Sequence, residues 1–303
     1  MERIALQKLI EWNNNKRKKP LIVWGARQVG KTYLIQELFA KEYYKNSYLY
    51  IDCKKEDEIR KFCSQTANAE KIIEYISLRK GFQITEKTLL IFDEVQEVPS
   101  FEKVVDSLYI RDHVDVYITG SNAYMLSSEL ATLLSGRYTE IKMLPLSFRE
   151  YMVVTGMAKE EAFAEFMKTG GIPYVAVMNR TDEKIDQYLE GIYNTVIVKD
   201  IEQRQARREK EGGKRKITDI ALLKTIARYL ASVIGSTVSM KSITDYLISA
   251  GRKVSQNTVS NYVEALTESF IFYPVERLDI VGKQLLKVNN KFYMVDMGIR
   301  NHI

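Results

Sequence analysis

Two spacings of apolar residues alternate along the first half of the chain. Leu6, Leu9 and Ile10 recur at helical spacing within residues 2–12, and the polar run Asn13–Lys19 leads through Pro20 into the apolar stretch Leu21–Trp24. This predicts a helix followed by a strand. Leu34, Ile35, Leu38 and Phe39 then form a second helical stripe, Val104, Val105, Leu108 and Tyr109 another, and Met125, Leu126, Leu130, Leu133 and Leu134 a further one. Between them Tyr48–Asp52, Leu89–Asp93 and Val114–Thr119 read as short strands, with one more from about Tyr138 to Leu146. Strands alternating with helices predict an α/β fold with a parallel sheet covered by helices on both faces.

Past Ser147 the strand signals fade. Helical patterns take over, interrupted by Thr169-Gly170-Gly171-Ile172-Pro173, and the charged stretch Arg204–Lys216 reads as a linker. Beyond it, Leu222, Leu223, Ile226, Tyr229 and Leu230 mark a helix and Met240–Ser249 a second. A third starts near Ser255, with Val259, Tyr262, Val263 and Leu266 as its buried stripe. Phe270–Val275 and Lys291–Val295 favour strands and enclose Lys283 and Lys287. The order resembles a winged helix-turn-helix. The expected organisation is an α/β core over 1–147, a helical lid over 148–203, a basic linker over 204–216 and the winged helix over 217–303.

Composition narrows the class. Forty-six per cent apolar and 28% charged residues in 303 suit a globular chain of about two domains, and no apolar run nears the roughly 18 residues a membrane helix requires. The N-terminus lacks a signal peptide's charged-then-apolar pattern. Cys53 and Cys63 are too few for a disulfide framework or a zinc site and read as ordinary reduced thiols, so the expected location is cytoplasmic. His113 and His302 lack ligand spacing. The net charge of +6 hides an asymmetry: 17 Lys/Arg face 9 Asp/Glu from Arg204 onward, against 28 and 30 before it. A basic last third suits contact with nucleic-acid phosphates, and equally a solvated surface.

The strongest chemical signal is Gly25-Ala26-Arg27-Gln28-Val29-Gly30-Lys31-Thr32, a full GxxxxGK[ST] between a strand and an amphipathic helix. In such a loop, backbone N–H groups and the helix N-terminus face phosphate oxygens, Lys31 adds a point charge and Thr32 can ligate magnesium; Tyr33 follows within the first turn. Leu89–Glu94 ends an apolar strand in two carboxylates, the form of a Walker B segment. Asp93 would hold magnesium through water and Glu94 would polarise the attacking water. Ser121 and Asn122, after the next strand, are candidate sensors of the γ-phosphate or alternatively a polar turn or cap. Arg137 stands just before the last strand of the core, either as a catalytic finger offered to a neighbouring subunit or as a helix-end charge.

GARQVGKT, LLIFDEVQ with Gln96 at its end, ITGSN, SGRY to PLSFREY, and TGGIPYVA together resemble the AAA-like P-loop ATPases that carry a DUF4143 C-terminal region, near the AAA+/STAND branch. The resemblance implies an ATP-binding core, and it makes Gly171-Ile172-Pro173 the lid motif whose Pro173 contacts adenine. Residue pattern alone makes the same segment a helix break. Members of that family generally continue into a region resembling a PD-(D/E)xK nuclease fold. The chain stops at Ile303 and shows no nuclease carboxylate–lysine set, so a shortened C-terminus is expected and no nuclease activity is carried over.

The expected function is an ATPase with ATP and magnesium as cofactors, acting as a AAA+/STAND-type switch, alone or as a homo-oligomer. Gln256, Asn257, Ser260 and Asn261 could read base edges of double-stranded DNA, and Arg204, Arg207, Arg208, Lys214, Arg215 and Lys216 could touch phosphates. A winged helix docks protein partners as readily. The alternatives are a DNA-binding or interaction module that holds ATP without hydrolysing it, and, with no acceptor pocket evident, a small-molecule kinase.

Overall fold

The computed structural model describes residues 3–16, 18–84, 87–120, 137–178, 181–210, 216–276 and 290–303. The chain divides into two compact units, Met1–Gly25 with Val29–Leu144, and Ala26–Gln28 with Pro145–Ile303.

The first unit is built on five parallel strands, β1 (Leu21–Trp24), β2 (Tyr48–Asp52), β3 (Thr88–Asp93), β4 (Val114–Gly120) and β5 (Thr139–Lys142), in the order β2-β3-β4-β1-β5. The three inner strands read as apolar runs because helices cover both faces of the sheet, and β3 is buried along its whole length. On one face Ile22, Ile51, Leu90, Phe92 and Ile118 pack with Ile59, Ile72, Ile76 and Val104, which come from α3 (Asp57–Gln65), α4 (Ala69–Lys80) and α5 (Phe101–Tyr109). Elsewhere in the unit α1 (Ile4–Asn13) packs on the helix after the glycine-rich loop, with Trp12 6.2 Å from Phe39. That helix, α2, begins at Lys31–Tyr33, widens into π-type turns over Leu34–Ala40 and closes at Lys41–Tyr43.

The last strand of the unit is shorter than its apolar run predicts. Met143 N still donates to Trp24 O, but β1 ends there, so residues 143–146 have no further strand to pair with and Pro145 lacks an N–H. The helix expected over residues 125–134 lies outside the described residues.

The second unit opens with a capping box. Ser147 Oγ accepts from Glu150 N at 3.3 Å and Glu150 Oε2 accepts from Ser147 N at 2.7 Å, which starts α6 (Phe148–Thr155). Next come α7 (Lys159–Thr169), α8 (Pro173–Val177) and α9 (Asp182–Asn194), and then π-type turns over Thr195–Asp200 that run into α10 (Ile201–Lys210). The linker expected over 204–216 is therefore helical through Lys210. Its Arg, Gln, Ala, Glu and Lys residues are good helix formers, and they outweigh the charge that suggested a tether. Gln205 is buried in α10, and its Oε1 accepts from Lys216 N (2.7 Å) and Ile217 N (3.2 Å), so the returning chain is pinned to the helix. Residues 211–215 lie outside the described residues.

The remainder consists of α11 (Ile220–Ser232), β6 (Thr237–Val238), α12 (Met240–Ser249), α13 (Gln256–Glu268), β7 (Phe272–Val275), β8 (Asn290–Met294) and α14 (Met297–Asn301). The strands form an antiparallel sheet in the order β6-β8-β7. Val259, Tyr262, Val263 and Leu266 are buried as their spacing predicts, and Tyr262 Oη accepts from Thr218 N and Asp219 N at the head of α11. Ile172, Leu189, Ile201, Leu223, Leu247, Phe272 and Ile299 share a single core, so the expected lid and C-terminal pieces are packed as one body. Lys283 and Lys287 lie outside the described residues. No helix among the described residues is long and apolar enough to cross a membrane.

Candidate functional site

In the first unit Gly25, Gly30, Lys31 and Thr32 of the phosphate loop lie at the C-terminal end of β1, and Thr32 meets Asp93 at the C-terminal end of β3. Gly25 follows β1 so closely beneath Met143 that a Cβ would overlap the Met143 carbonyl oxygen, which leaves glycine as the residue that fits. Gly30 takes a left-handed backbone (φ 89°) and turns the chain into α2. Val29 is fully buried and its carbonyl accepts from Arg3 Nη1 at 3.0 Å, while Arg3 Nη2 reaches Leu144 O at 2.8 Å. Arg3 thus braces the loop from outside any motif. Lys31 is buried, with Nζ 3.0 Å from Gly25 O, folded across the loop it belongs to. Tyr33 stands 41% exposed on the outer side of α2.

Asp93 is the hub. Its Oδ2 accepts from Thr32 Oγ1 at 2.8 Å and from Tyr50 Oη at 2.5 Å, and its Oδ1 accepts from Thr119 Oγ1. Thr119 Oγ1 in turn accepts from Glu94 N at 3.1 Å. Glu94 leaves β3 in a left-handed conformation (φ 54°) that ends the strand and starts the tight turn Val95–Glu97, and its carboxylate accepts from Gln96 Nε2. Burial, followed by the Asp93 carboxylate, raises the Tyr50 hydroxyl far above the ordinary tyrosine range, so the phenol remains a donor. Tyr117 is fully buried on β4 and is also raised by burial; its hydroxyl has no hydrogen-bond partner among the described residues. Cys53 and Cys63 are buried free thiols, and burial pushes Cys63 up to about 11.

Ala26–Gln28 group with the second unit, where Arg27 Nη2 lies 2.7 Å from Asp200 Oδ1. Ser121 and Asn122 lie outside the described residues. Arg137 is exposed and its Nη1 is 3.1 Å from Asp106 Oδ1, a surface pair too weak to hold it. Pro173 is the first residue of α8, a position that tolerates its missing N–H. The glycines before it have a packing reason. A Cβ on Gly170 would run into the Asp296 carboxylate, and one on Gly171 would overlap Leu146 O, while Gly171 N donates to Asp296 Oδ2 at 2.6 Å. Asp296 also caps α14 through Ile299 N at 3.1 Å.

Of the residues expected from the sequence, Thr32 and Asp93 are brought into contact; the contacts of Tyr50, Arg3, Asp296, Thr119 and Gln96 carry no sequence signal of their own. Tyr50 and Thr119 reach Asp93 because β2 and β4 flank β3, an adjacency that no local pattern encodes.

A parallel sheet with a glycine-rich loop leading into α2 and Asp93 at the end of the third strand defines the AAA-type P-loop ATPase-like class, and residues 17–152 match the AAA domain family. The remainder, residues 160–303, matches a domain of unknown function, DUF8612, which corrects the expected DUF4143 region. All but one of the motifs behind that expectation lie within the first 152 residues and specify the nucleotide half. An uncharacterized protein of Haemophilus influenzae is 32% identical over 98% of this chain and 72% of its own length, and the chain belongs to that protein's family. An uncharacterized protein of Methanocaldococcus jannaschii is 25% identical over 91% of the chain, which spans 60% of that relative. Among solved structures, a Walker-type ATPase of Pyrococcus abyssi shares the fold with a TM-score of 0.59 at 18% identity, covering 99% of this chain and 95% of its own.

Proposed function

We propose that the chain binds ATP with magnesium and hydrolyses it as a switch of the AAA+/STAND type. The observation that carries this reading is the Thr32–Asp93 hydrogen bond, which brings the P-loop hydroxyl and the β3 carboxylate together beside Lys31. The site suits a nucleotide: the Gly25 cradle admits no side chain, and one hydroxyl and one carboxylate form the oxygen donor set magnesium prefers. Magnesium bound there would neutralise phosphate charge. Lys31 would exchange Gly25 O for phosphate oxygens, Thr32 and Asp93 would hold the cation, and Glu94 would orient and deprotonate the attacking water. Arg137, exposed and loosely paired, is free to serve a neighbouring subunit.

The output module is a winged helix-turn-helix. The order of α11, β6, α12, α13, β7 and β8 with the pairing β6-β8-β7 supports that reading, and Gln256, Asn257 and Ser260 lie exposed on α13 for double-stranded DNA or a protein partner. A second reading, an ATP-holding module that scarcely turns over, is favoured by the Gln96–Glu94 hydrogen bond, which engages the proposed base.

Binding of a fluorescent ATP analogue and phosphate release test both. Lys31→Ala should abolish tight binding, and unchanged affinity refutes the site. Glu94→Gln should keep binding and stop release. Release at the parent rate excludes Glu94 as the base, and a parent that binds without release establishes the holding module.

A further inference from the structure

Of the three hydroxyls on Asp93, Thr32 belongs to the phosphate loop, whereas Thr119 comes from β4 and Tyr50 from β2, a strand that carries none of the nucleotide motifs. β2 runs beside β3 with Tyr50 opposite Ile91 and Asp52 opposite Asp93. From there the Tyr50 phenol extends to the end of β3, where its hydroxyl donates to the same Oδ2 that accepts from Thr32. Thr119 occupies Oδ1. A carboxylate oxygen offers about two lone-pair directions, so Thr32 and Tyr50 together fill those of Oδ2 and fix the rotation of the whole group. Asp93 is buried (7% exposed), so few waters can replace a lost donor.

We propose that Tyr50 is a positioning residue for the cation side of this site: its hydroxyl holds the Asp93 carboxylate in the orientation that receives magnesium together with Thr32. The inference rests on the nucleotide reading above and adds a residue that neither sequence motif contains. Outer partners of metal-binding groups typically alter metal affinity 10- to 100-fold when removed. The Tyr50 hydroxyl donates to Asp93 on the cation side of the site, so its loss should leave metal-free nucleotide binding alone.

Tyr117→Phe is the matched control. It removes a phenolic hydroxyl from the neighbouring strand β4, where that hydroxyl makes no hydrogen bond among the described residues. The full chain, Tyr50→Phe and Tyr117→Phe are titrated with a fluorescent ATP analogue, first in excess EDTA and then at rising magnesium, and each is melted in EDTA to verify folding. Tyr50→Phe should bind as the parent does in EDTA while its half-saturating magnesium concentration rises about 10-fold or more. Tyr117→Phe should match the parent. A magnesium midpoint within two-fold of the parent in Tyr50→Phe, or an equal shift in Tyr117→Phe, overturns the proposal. If Tyr50→Phe melts early, Tyr50→His, which keeps a ring N–H donor, must recover part of the magnesium response, and failure to do so overturns it too. A parent that binds no nucleotide at any magnesium level overturns the site reading itself, an outcome distinct from a normal parent with an unresponsive Tyr50→Phe.

Discussion

Replacing Asp296 with Ala removes the group that ties the glycine loop before α8 to the N-terminus of α14. The carboxylate is 5% exposed and accepts from Gly171 N and Ile299 N at 2.6 and 3.1 Å. Each buried donor left without a partner costs about 1–3 kcal/mol, and some relaxation of the loop brings the pair to about 3 kcal/mol. For a unit of this size that corresponds to a Tm lower by roughly 6–12 °C. Asp296→Asn keeps an acceptor oxygen and should recover much of the loss. Burial lifts the Asp296 carboxyl above its ordinary value of 3.8, against the opposing pull of the Gly171, Ile299 and Gly298 amides. The folded state therefore holds this proton more tightly than the unfolded chain does. The associated stabilisation is complete below the ordinary value and is lost as pH rises through the raised one. Denaturant melts at stepped pH should show that slope in the parent and not in Asp296→Asn. Asp296→Ala within about 1 kcal/mol of the parent would refute the argument that this carboxylate, rather than apolar packing alone, holds the two segments.

Other expectations are briefer. Gly25→Ala drives a Cβ into the Met143 carbonyl, so the loop must shift, and ATP-analogue affinity should fall at least about 10-fold, near 1.4 kcal/mol, in a binding titration; parent-like affinity would show that the cradle yields. Arg137→Ala should lower phosphate release without lowering nucleotide affinity. Mixing it with Lys31→Ala should restore part of the rate if the arginine acts across subunits, and undiminished release would count against the finger.

Much of the first unit is legible in the chain because its strands are short apolar runs closed by polar or turn-forming residues. Leu21–Trp24 and Tyr48–Asp52 end where their runs end. The final strand defeats that logic, since pairing depends on the length of its neighbour β1. The charged run from Arg204 deceived in the opposite sense: charge reads as solvent, yet Gln205 within it is buried and tethers the chain that follows. At the site, Lys31, Thr32 and Asp93 announce themselves by spacing, whereas Tyr50 depends on strand order. The Gly170-Gly171 pair shows the limit most directly. Its packing partner, Asp296, lies 125 residues beyond Gly171, and no window of sequence relates the two.

The strand order also governs how the protein comes into being. β1, which launches the phosphate loop, pairs among the described residues with β4 and β5, and the first of these is made about a hundred residues later. At roughly 5–20 residues per second of synthesis, Leu-Ile-Val-Trp waits some 5–20 s as an unpaired apolar segment before its slot exists. The nucleotide loop is thus among the first parts of the chain to be translated and among the last of the sheet to be seated. A nascent chain arrested before residue 114 would present β1 to chaperones instead of to ATP.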